Sequence, residues 1–252
     1  MPQEIDSFLP LGGLSAGARV LDLGCGSGSG TVPYSQFPHL TFHGLDQYAH
    51  METSSWPKNA SLVLADAFRL PYASRTFQAA ICNYVFEHFA EPRVVICELE
   101  RVMIPGALLY VSIPRYNGVE DCLYRFTTAG GGHIQRYTLG SFTELVYQES
   151  HFKLEGVGPL PGAFTWMREI PMGDWIRSLL YRSFRNWREA TGRNPLAANN
   201  YLLLFQLGET PGFKTTWQVC SRCGASFANS TNQTGITWIC SACAFRNIII
   251  DP

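Results

Sequence analysis

The chain has 252 residues, of which 46% are hydrophobic and 15% charged, and its formal net charge is −1. This length holds one domain of ordinary size and a small appendage, and the near-neutral charge excludes a global basic field that would capture nucleic acid. Apolar runs stay well short of a membrane span, and the first residues lack the basic and apolar regions of a signal peptide, so we expect a cytoplasmic protein.

Short apolar runs between turn signals predict seven strands. They cover residues 19–23, 41–45, 61–65, 78–83, 107–113, 152–157 and 201–207. The clearest crossover between them is a helix over residues 92–103, with an apolar face at Val94, Val95, Leu99 and Val102. Alternating strands and helices imply a doubly wound, mostly parallel sheet that binds ligands at the carboxyl ends of its strands.

The first predicted strand runs into a glycine-dense turn that contains Gly24, Cys25, Gly26 and Gly28. Glycine has no Cβ and tolerates positive φ, so the backbone of such a turn can approach a ligand closely. The turn indicates a nucleotide-type cofactor site. Taken alone it fits a nicotinamide-dependent dehydrogenase as well.

Later landmarks separate these two classes. The second strand ends at Asp46 and the third runs into Asp66, while the fourth leads through Asn83 to a Glu87-His88 turn. A Pro-Gly turn at Pro105 then opens the fifth strand. In this order and spacing, residues 17–207 resemble class I S-adenosylmethionine-dependent methyltransferases, of the small-molecule type.

The resemblance implies an α/β fold with a seven-stranded Rossmann-like sheet whose last strand is antiparallel. It assigns Asp46 to the ribose hydroxyls and Asp66 to the adenine amino group of S-adenosylmethionine. The cofactor-binding residues that it implies are Asp22, Gly24, Cys25, Gly26, Gly28, Asp46, Gln47, Asp66, Ala67, Asn83 and Tyr84. Two positions depart from the family pattern, Gln78 and Ala107, and we expect Gln78 to support packing.

The acceptor side is predicted from two histidines. His88 follows the fourth strand, and His133 lies in a Gly-His-x-x-Arg-Tyr sequence that resembles an acceptor-side loop of many small-molecule methyltransferases. A neutral histidine accepts a proton near pH 7, so both are candidate catalytic bases, and each is alternatively a hydrogen-bonded structural residue. Arg136 and Tyr137 are candidate acceptor-binding residues, although Arg136 equally suits a cap on the helix that begins near Thr138. Ser141 to Glu144 has the spacing of a capping box for the helix that follows.

Residues 159–200 are longer than a connection needs and are rich in tryptophan and arginine. One interpretation is a helix that covers the sheet edge, with arginines in solvent and Ile176, Leu179, Leu180 and Phe184 inward. Alternatives are a lid over an anionic acceptor, or a basic aromatic helix that lies on a membrane surface.

The domain predicted over residues 1–210 is followed by a different module over 211–252. Two Cys-x-x-Cys pairs with 16 residues between them have the spacing of a four-thiolate zinc ribbon, with Cys220, Cys223, Cys240 and Cys243 as ligands. Such a zinc is structural, because four thiolates leave no open coordination position. The remaining cysteines, Cys25, Cys82, Cys97 and Cys122, are isolated and are predicted to be small buried residues.

Together these features predict methyl transfer from S-adenosylmethionine to a small-molecule acceptor, with an oxygen nucleophile favoured. The alternatives are an RNA or protein methyltransferase that uses the ribbon for recognition, and a noncatalytic binding subunit. Nucleic acid is a possible but disfavoured partner, since the module carries few basic residues. A homodimer through the ribbon stays open.

Overall fold

The computed structural model describes residues 9–26, 34–48, 56–116, 118–127, 132–160, 167, 172–191 and 199–208, and five short strands beyond residue 216. Seven strands form one sheet in the order β3-β2-β1-β4-β5-β7-β6. They are β1 (Arg19–Leu23), β2 (Thr41–Asp46), β3 (Ala60–Leu64), β4 (Phe77–Asn83), β5 (Met103–Pro114), β6 (Phe152–Leu160) and β7 (Asn200–Leu207). Strands β1 to β5 pair in parallel, and β7 runs antiparallel to both β5 and β6. The predicted antiparallel last strand is therefore confirmed.

The order of the strands reverses between β1 and β4. From β1 the chain proceeds outward to β2 and β3, and it then returns to place β4 on the other side of β1. In doubly wound sheets the carboxyl ends of strands at such a reversal border a crevice that binds ligands. The fold thus places the turns after β1 and β4 next to each other.

The described residues contain four α-helices: α1 (Pro92–Val102), α2 (Val119–Thr127), α3 (Leu139–Glu149) and α4 (Gly173–Thr191). Helix α1 buries Val95, Leu99 and Val102 as predicted, but Val94 is 42% exposed and lies off the apolar face. The helix α3 begins with Thr138 as its N-cap, in a capping box with Ser141. The capping box predicted from Ser141 onward is wrong by three residues, because Thr138 has a hydroxyl at the same spacing from Ser141.

Apolar clusters cover both faces of the sheet. On one face, Phe86, Phe142 and Phe205 belong to a cluster that includes residues of α1 and α3. On the other, Leu11, Tyr34, Phe42 and Tyr110 pack together. Cys25 and Cys82 are buried as predicted, whereas Cys97 and Cys122 are exposed, so that prediction is wrong for two of the four.

Helix α4 packs on Met167. Ile176, Leu180 and Phe184 contact this buried side chain, and so do Val119 and Leu123 of α2. Leu179, predicted to face inward, is 45% exposed. The apolar face of α4 is therefore narrower than predicted, and Met167 lies between it and α2. None of these helices is long and apolar enough to cross a membrane.

Five short strands follow residue 216. Strands β8 (Trp217–Val219) and β9 (Ser226–Ala228) form an antiparallel pair, while β10 (Gln233–Thr234), β11 (Thr237–Ile239) and β12 (Arg246–Ile248) form an antiparallel sheet. The four cysteines predicted to bind zinc lie outside the described residues, as does Gly28 of the glycine turn.

Candidate cofactor and acceptor site

The turn after β1 is bonded to the end of β2. Gly24 and Gly26 have φ values of +72° and +52°, a region that glycine adopts without strain. The N–H groups of Gly24 and Cys25 donate to the carbonyl of Leu45 at 2.8 and 3.2 Å, and the N–H of Gly26 donates to Asp46 Oδ2 at 2.9 Å. Two of the predicted cofactor-binding segments are therefore held together.

Gly24 also contacts the turn after β4. A Cβ built on Gly24 would lie 2.5 Å from Val85 Cγ2, which is closer than side-chain atoms approach one another. Position 24 therefore requires glycine for two reasons: the positive φ of its backbone and the lack of room for a Cβ beside Val85. The turns at the reversal of the sheet touch, as the fold predicts.

Asp22 lies beneath the glycine turn. Its side chain is fully buried and its Oδ2 accepts a 2.6 Å hydrogen bond from the Tyr34 hydroxyl, while Oδ1 has no partner. Burial raises the pKa of Asp22 to about 7, although the Tyr34 hydrogen bond acts in the opposite direction. Burial also raises the pKa of the neighbouring Cys25 thiol to about 12, which keeps it protonated and unreactive.

The other polar residues predicted to bind the cofactor vary in exposure. Asp46 is half-buried, and its Oδ1 accepts a hydrogen bond from the N–H of Tyr48 at 3.1 Å. Gln47 and Asp66 are exposed, and Ala67 is half-buried beside Asp66. Carboxylate oxygens have four lone-pair sites, so Asp46 keeps acceptor capacity for further donors.

Ser112 of β5 supports the end of β4. Its hydroxyl donates to Asn83 Oδ1 at 2.6 Å and accepts from the N–H of Tyr84 at 3.0 Å. Tyr84 has a φ of +53°, which is uncommon for a residue with a bulky side chain. A positive φ at a non-glycine residue persists only where surrounding contacts hold it, and such residues are common at functional sites.

A second polar cluster begins two residues beyond Val85. Glu87 and His88 lie in a short 3-10 helix (Phe86–His88), and His133 approaches from the segment before α3. The rings of His88 and His133 have centroids 4.9 Å apart, and the ring of Tyr124 lies 4.4 Å from that of His133. The two predicted catalytic histidines are therefore neighbours.

His133 is oriented by a network that the sequence did not reveal. Its Nδ1 lies 3.1 Å from Asp121 Oδ1, and the Nε of Arg125 donates to Asp121 Oδ2 at 2.9 Å. Arg125 also donates to the backbone carbonyls of His133 and Gln135. Burial opposes ionisation of Asp121, but the hydrogen bonds from His133 and Arg125 outweigh it and lower its pKa. The sequence signal for part of this network was the i, i+4 spacing of Asp121 and Arg125, which allows an ion pair on one helix face.

Glu87 points its carboxyl group into this cluster. The side chain is 1% exposed, its Oε1 lies 3.9 Å from His133 Nε2, and its Oε2 has no partner. Burial raises the pKa of Glu87 to about 8. The main-chain carbonyl of Glu87 accepts from the N–H groups of Ile134 and Gln135, which ties the histidine segment to the end of β4.

The two predicted acceptor-binding residues differ in their surroundings. Arg136 is exposed and its guanidinium lies over the ring of Tyr116 at 5.5 Å. Tyr137 is 6% exposed and packs against Phe142 in the core, with its hydroxyl 3.5 Å from the carbonyl of Phe86. Tyr137 thus stabilises the turn that carries Glu87 and His88.

Comparisons with known proteins agree with this fold. A family model described as "Methyltransferase domain" matches residues 21–111. A demethylmenaquinone methyltransferase of Corynebacterium kroppenstedtii is 33% identical over 95 residues, which are 38% of this chain and 41% of that protein. A malonyl-[acyl-carrier protein] O-methyltransferase of Legionella pneumophila is 30% identical over 102 residues, 38% of this chain and 36% of that protein.

A solved structure extends the likeness beyond the matched segment. Phosphoethanolamine N-methyltransferase 2 of Haemonchus contortus, in complex with S-adenosyl-L-methionine, has a TM-score of 0.61 at 13% identity and covers 82% of this chain and 53% of its own. The chain therefore has the Rossmann-like methyltransferase fold. Residues 21–111 match the methyltransferase domain, and the fold extends beyond them. The chain spans about two fifths of the length of the curated relatives it matches.

Proposed function

We propose that the chain transfers a methyl group from S-adenosylmethionine to an oxygen atom of a small-molecule acceptor. The observation that carries the proposal is the junction of the turns after β1, β2 and β4, where Gly26 donates to Asp46 and Gly24 leaves no room for a side chain beside Val85. This junction lies at the reversal of the strand order, where doubly wound sheets bind nucleotide-type ligands.

The residues at the junction suit such a cofactor. Asp46 offers a half-buried carboxylate to the ribose hydroxyls, and the Gly24 and Gly26 backbone leaves space for close approach. Asn83, held by Ser112, presents a side-chain amide beside the turn. When bound, S-adenosylmethionine supplies an activated sulfonium methyl, so the protein's task is to hold the acceptor near attack distance and exclude water.

The acceptor lies, in this proposal, beside Glu87, His88 and His133. This cluster begins two residues after Val85, which contacts the cofactor turn, so one short segment connects the two. An alcohol or acid must lose its proton to become a strong nucleophile, and the cluster provides two imidazoles and a carboxyl group at that position. The name of the Legionella relative, an O-methyltransferase, supports oxygen as the acceptor atom.

The C-terminal strands support a proposed zinc ribbon. In sequence, Cys220 and Cys223 lie between β8 and β9, and Cys240 and Cys243 lie between β11 and β12. Each cysteine pair therefore connects two strands that are antiparallel partners, which is where ribbons carry their ligands. A substrate-recognising ribbon on an RNA or protein methyltransferase is the second candidate function.

The decisive experiment incubates the full chain with methyl-tritiated S-adenosylmethionine and three acceptor pools: small metabolites, tRNA and cell protein. We expect label in the metabolite pool, and Asp46→Ala should reduce it when S-adenosylmethionine is limiting. Gln206→Ala serves as a control that keeps activity. Gln206 is exposed on β7 and pairs with Leu108 near the amino end of β5, away from the carboxyl ends of the strands where the site lies. Label in RNA or protein alone would replace the proposed acceptor, and no label in any pool would favour a noncatalytic subunit.

A further inference from the structure

The Glu87, His88 and His133 cluster has a geometry that a proton acceptor alone does not require. One ring nitrogen of each histidine and one Glu87 carboxylate oxygen all lie within 4.8 Å of one another. Two imidazoles and a carboxylate form the ligand set of many sites for divalent transition metals. Whether these groups can bind a cation depends on which atoms carry free lone pairs.

Hydrogen bonds fix the tautomers of both histidines. His88 Nδ1 lies 3.0 Å from the carbonyl oxygen of Gly132, which only accepts, so Nδ1 carries the proton and Nε2 the lone pair. His133 Nδ1 lies 3.1 Å from Asp121 Oδ1, and Asp121 also accepts from Arg125, so Nδ1 is again the donor. Both histidines therefore keep Nε2 free to act as a metal ligand.

The contact between His133 and Asp121 is typical of metal-binding histidines. Such residues commonly donate their second ring N–H to a carboxylate, which fixes the ring and raises the basicity of the coordinating nitrogen. Here Arg125 holds that carboxylate in turn, at 2.9 Å. Asp121 and Arg125 thus already hold the His133 ring in the orientation that metal binding requires.

Glu87 supplies the independent observation. Its side chain is 1% exposed, and its Oε2 is buried without a hydrogen-bond partner. A buried carboxylate oxygen without a partner is costly and rare, and in a native protein it calls for a specific reason. Its other oxygen lies 3.9 Å from His133 Nε2, so the carboxyl group faces the free nitrogen.

We propose that Glu87, His88 and His133 bind one divalent transition-metal cation, with Asp121 orienting His133. Ligand atoms about 2.1 Å from a tetrahedral ion lie about 3.4 Å apart, so side-chain rotations that bring these atoms up to about 1.4 Å closer complete the site. Three protein ligands leave at least one coordination position open. That position accepts an oxygen atom of a bound molecule.

The role of this cation rests on the proposed function. An acceptor hydroxyl bound to a divalent cation loses its proton to water more readily, as water bound to zinc does. The resulting oxygen anion forms the new O–C bond while the C–S bond of the sulfonium breaks, leaving S-adenosylhomocysteine. His133 is then a metal ligand. The alternative, His133 acting as a base without metal, does not account for the unpartnered Glu87 Oε2.

Manganese is the appropriate probe, because the four C-terminal cysteines prefer softer ions and would complicate a zinc titration. The full chain, treated with chelator and kept free of S-adenosylmethionine, is titrated with Mn²⁺ while electron paramagnetic resonance measures the free ion. We expect one equivalent to bind. We expect Glu87→Gln to weaken Mn²⁺ binding at least about 10-fold, and His88→Gln, at an exposed residue, to do the same. Asp121→Asn should weaken it about 10- to 100-fold.

The control is His151→Ala, which removes a histidine that also pairs with a glutamate, Glu100, outside the cluster. It should bind Mn²⁺ like the unaltered chain. Circular dichroism checks the fold of each variant, and His88→Gln serves if Glu87→Gln fails to fold. An unaltered chain that leaves the free Mn²⁺ signal unchanged, or variants that bind equally well, would overturn the proposal. Because the titration involves no methyl transfer, its result and that of the acceptor screen are separable.

Discussion

Asp22 provides a quantitative test of how the glycine turn is supported. Replacing it with asparagine keeps the shape of the side chain and an oxygen that accepts from Tyr34, but removes the ionisable group. In the folded chain the pKa of Asp22 rises from 3.8 to about 7, mainly because of burial. The folded state therefore retains a proton between about pH 4 and pH 7 that the unfolded state releases.

The sign follows from this difference in proton binding. Since the folded pKa is raised, stability is greatest at low pH, where both states hold the proton, and is lost as pH rises through about 7. At about 1.4 kcal/mol per pKa unit, ionised Asp22 costs the folded state about 4 kcal/mol at alkaline pH. Between pH 5 and pH 8 the cost grows by about 2 to 3 kcal/mol.

Urea unfolding of the unaltered chain and Asp22→Asn at both pH values measures this cost. We expect the free energy of unfolding of the variant, relative to the unaltered chain, to increase by about 2 to 3 kcal/mol from pH 5 to pH 8. Burying the asparagine amide also lowers the free energy of unfolding of Asp22→Asn. This effect is the same at pH 5 and pH 8, so it cancels when the two pH values are compared. Tyr34→Phe, which removes the hydrogen bond that lowers the pKa, should extend the pH dependence to higher pH. A difference between the two chains that stays constant with pH would refute the reasoning.

Two further predictions concern the neighbouring turns. Gly24→Ala should abolish binding of S-adenosylhomocysteine in calorimetry, because its Cβ would lie 2.5 Å from Val85; Gly106→Ala, with similar positive φ but open space, should bind normally. Equal binding by both would contradict the steric argument. Ser112→Ala removes the hydroxyl that holds Asn83 and should lower the free energy of unfolding by about 1 to 3 kcal/mol and weaken the same binding, as measured by urea unfolding and calorimetry. A variant as stable as the unaltered chain would show that this hydroxyl is dispensable.

The strands were predictable because their apolar runs are bounded by turn residues. Strand β1 has the predicted bounds, Arg19–Leu23, and β4 starts one residue earlier than predicted. Strand β5 begins at Met103, four residues before the predicted start, since the Pro105-Gly106 segment was interpreted as a turn. Met103 pairs with Phe77 of β4, and after an irregularity that contains Pro105 and Gly106 the pairing resumes at Leu108, so the strand begins before the turn.

The candidate site was predictable only in part. A local sequence motif indicated each histidine. Asp121 contacts His133 only because of how α2 packs, which the sequence does not show. The pair of Asp121 and Arg125 did not indicate this contact, since a lone Asp–Arg pair on a helix usually lies in solvent. Burial of Glu87 likewise depends on tertiary contacts, so its carboxyl group was not recognised as part of the cluster. Leu179 shows the same limit, because the width of a buried helix face is decided by the side chains that pack on it, here Met167.

The most direct test of the central claim is calorimetric titration of the full chain with S-adenosylhomocysteine and, separately, with NAD. We expect the homocysteine product to bind and NAD not to bind. Asp46→Ala should lower the affinity about 10- to 100-fold, since hydrogen bonds to a charged group contribute about 1.5 to 3 kcal/mol. Binding of NAD without binding of S-adenosylhomocysteine would contradict the account, and an Asp46→Ala variant with unchanged affinity would remove the ribose assignment.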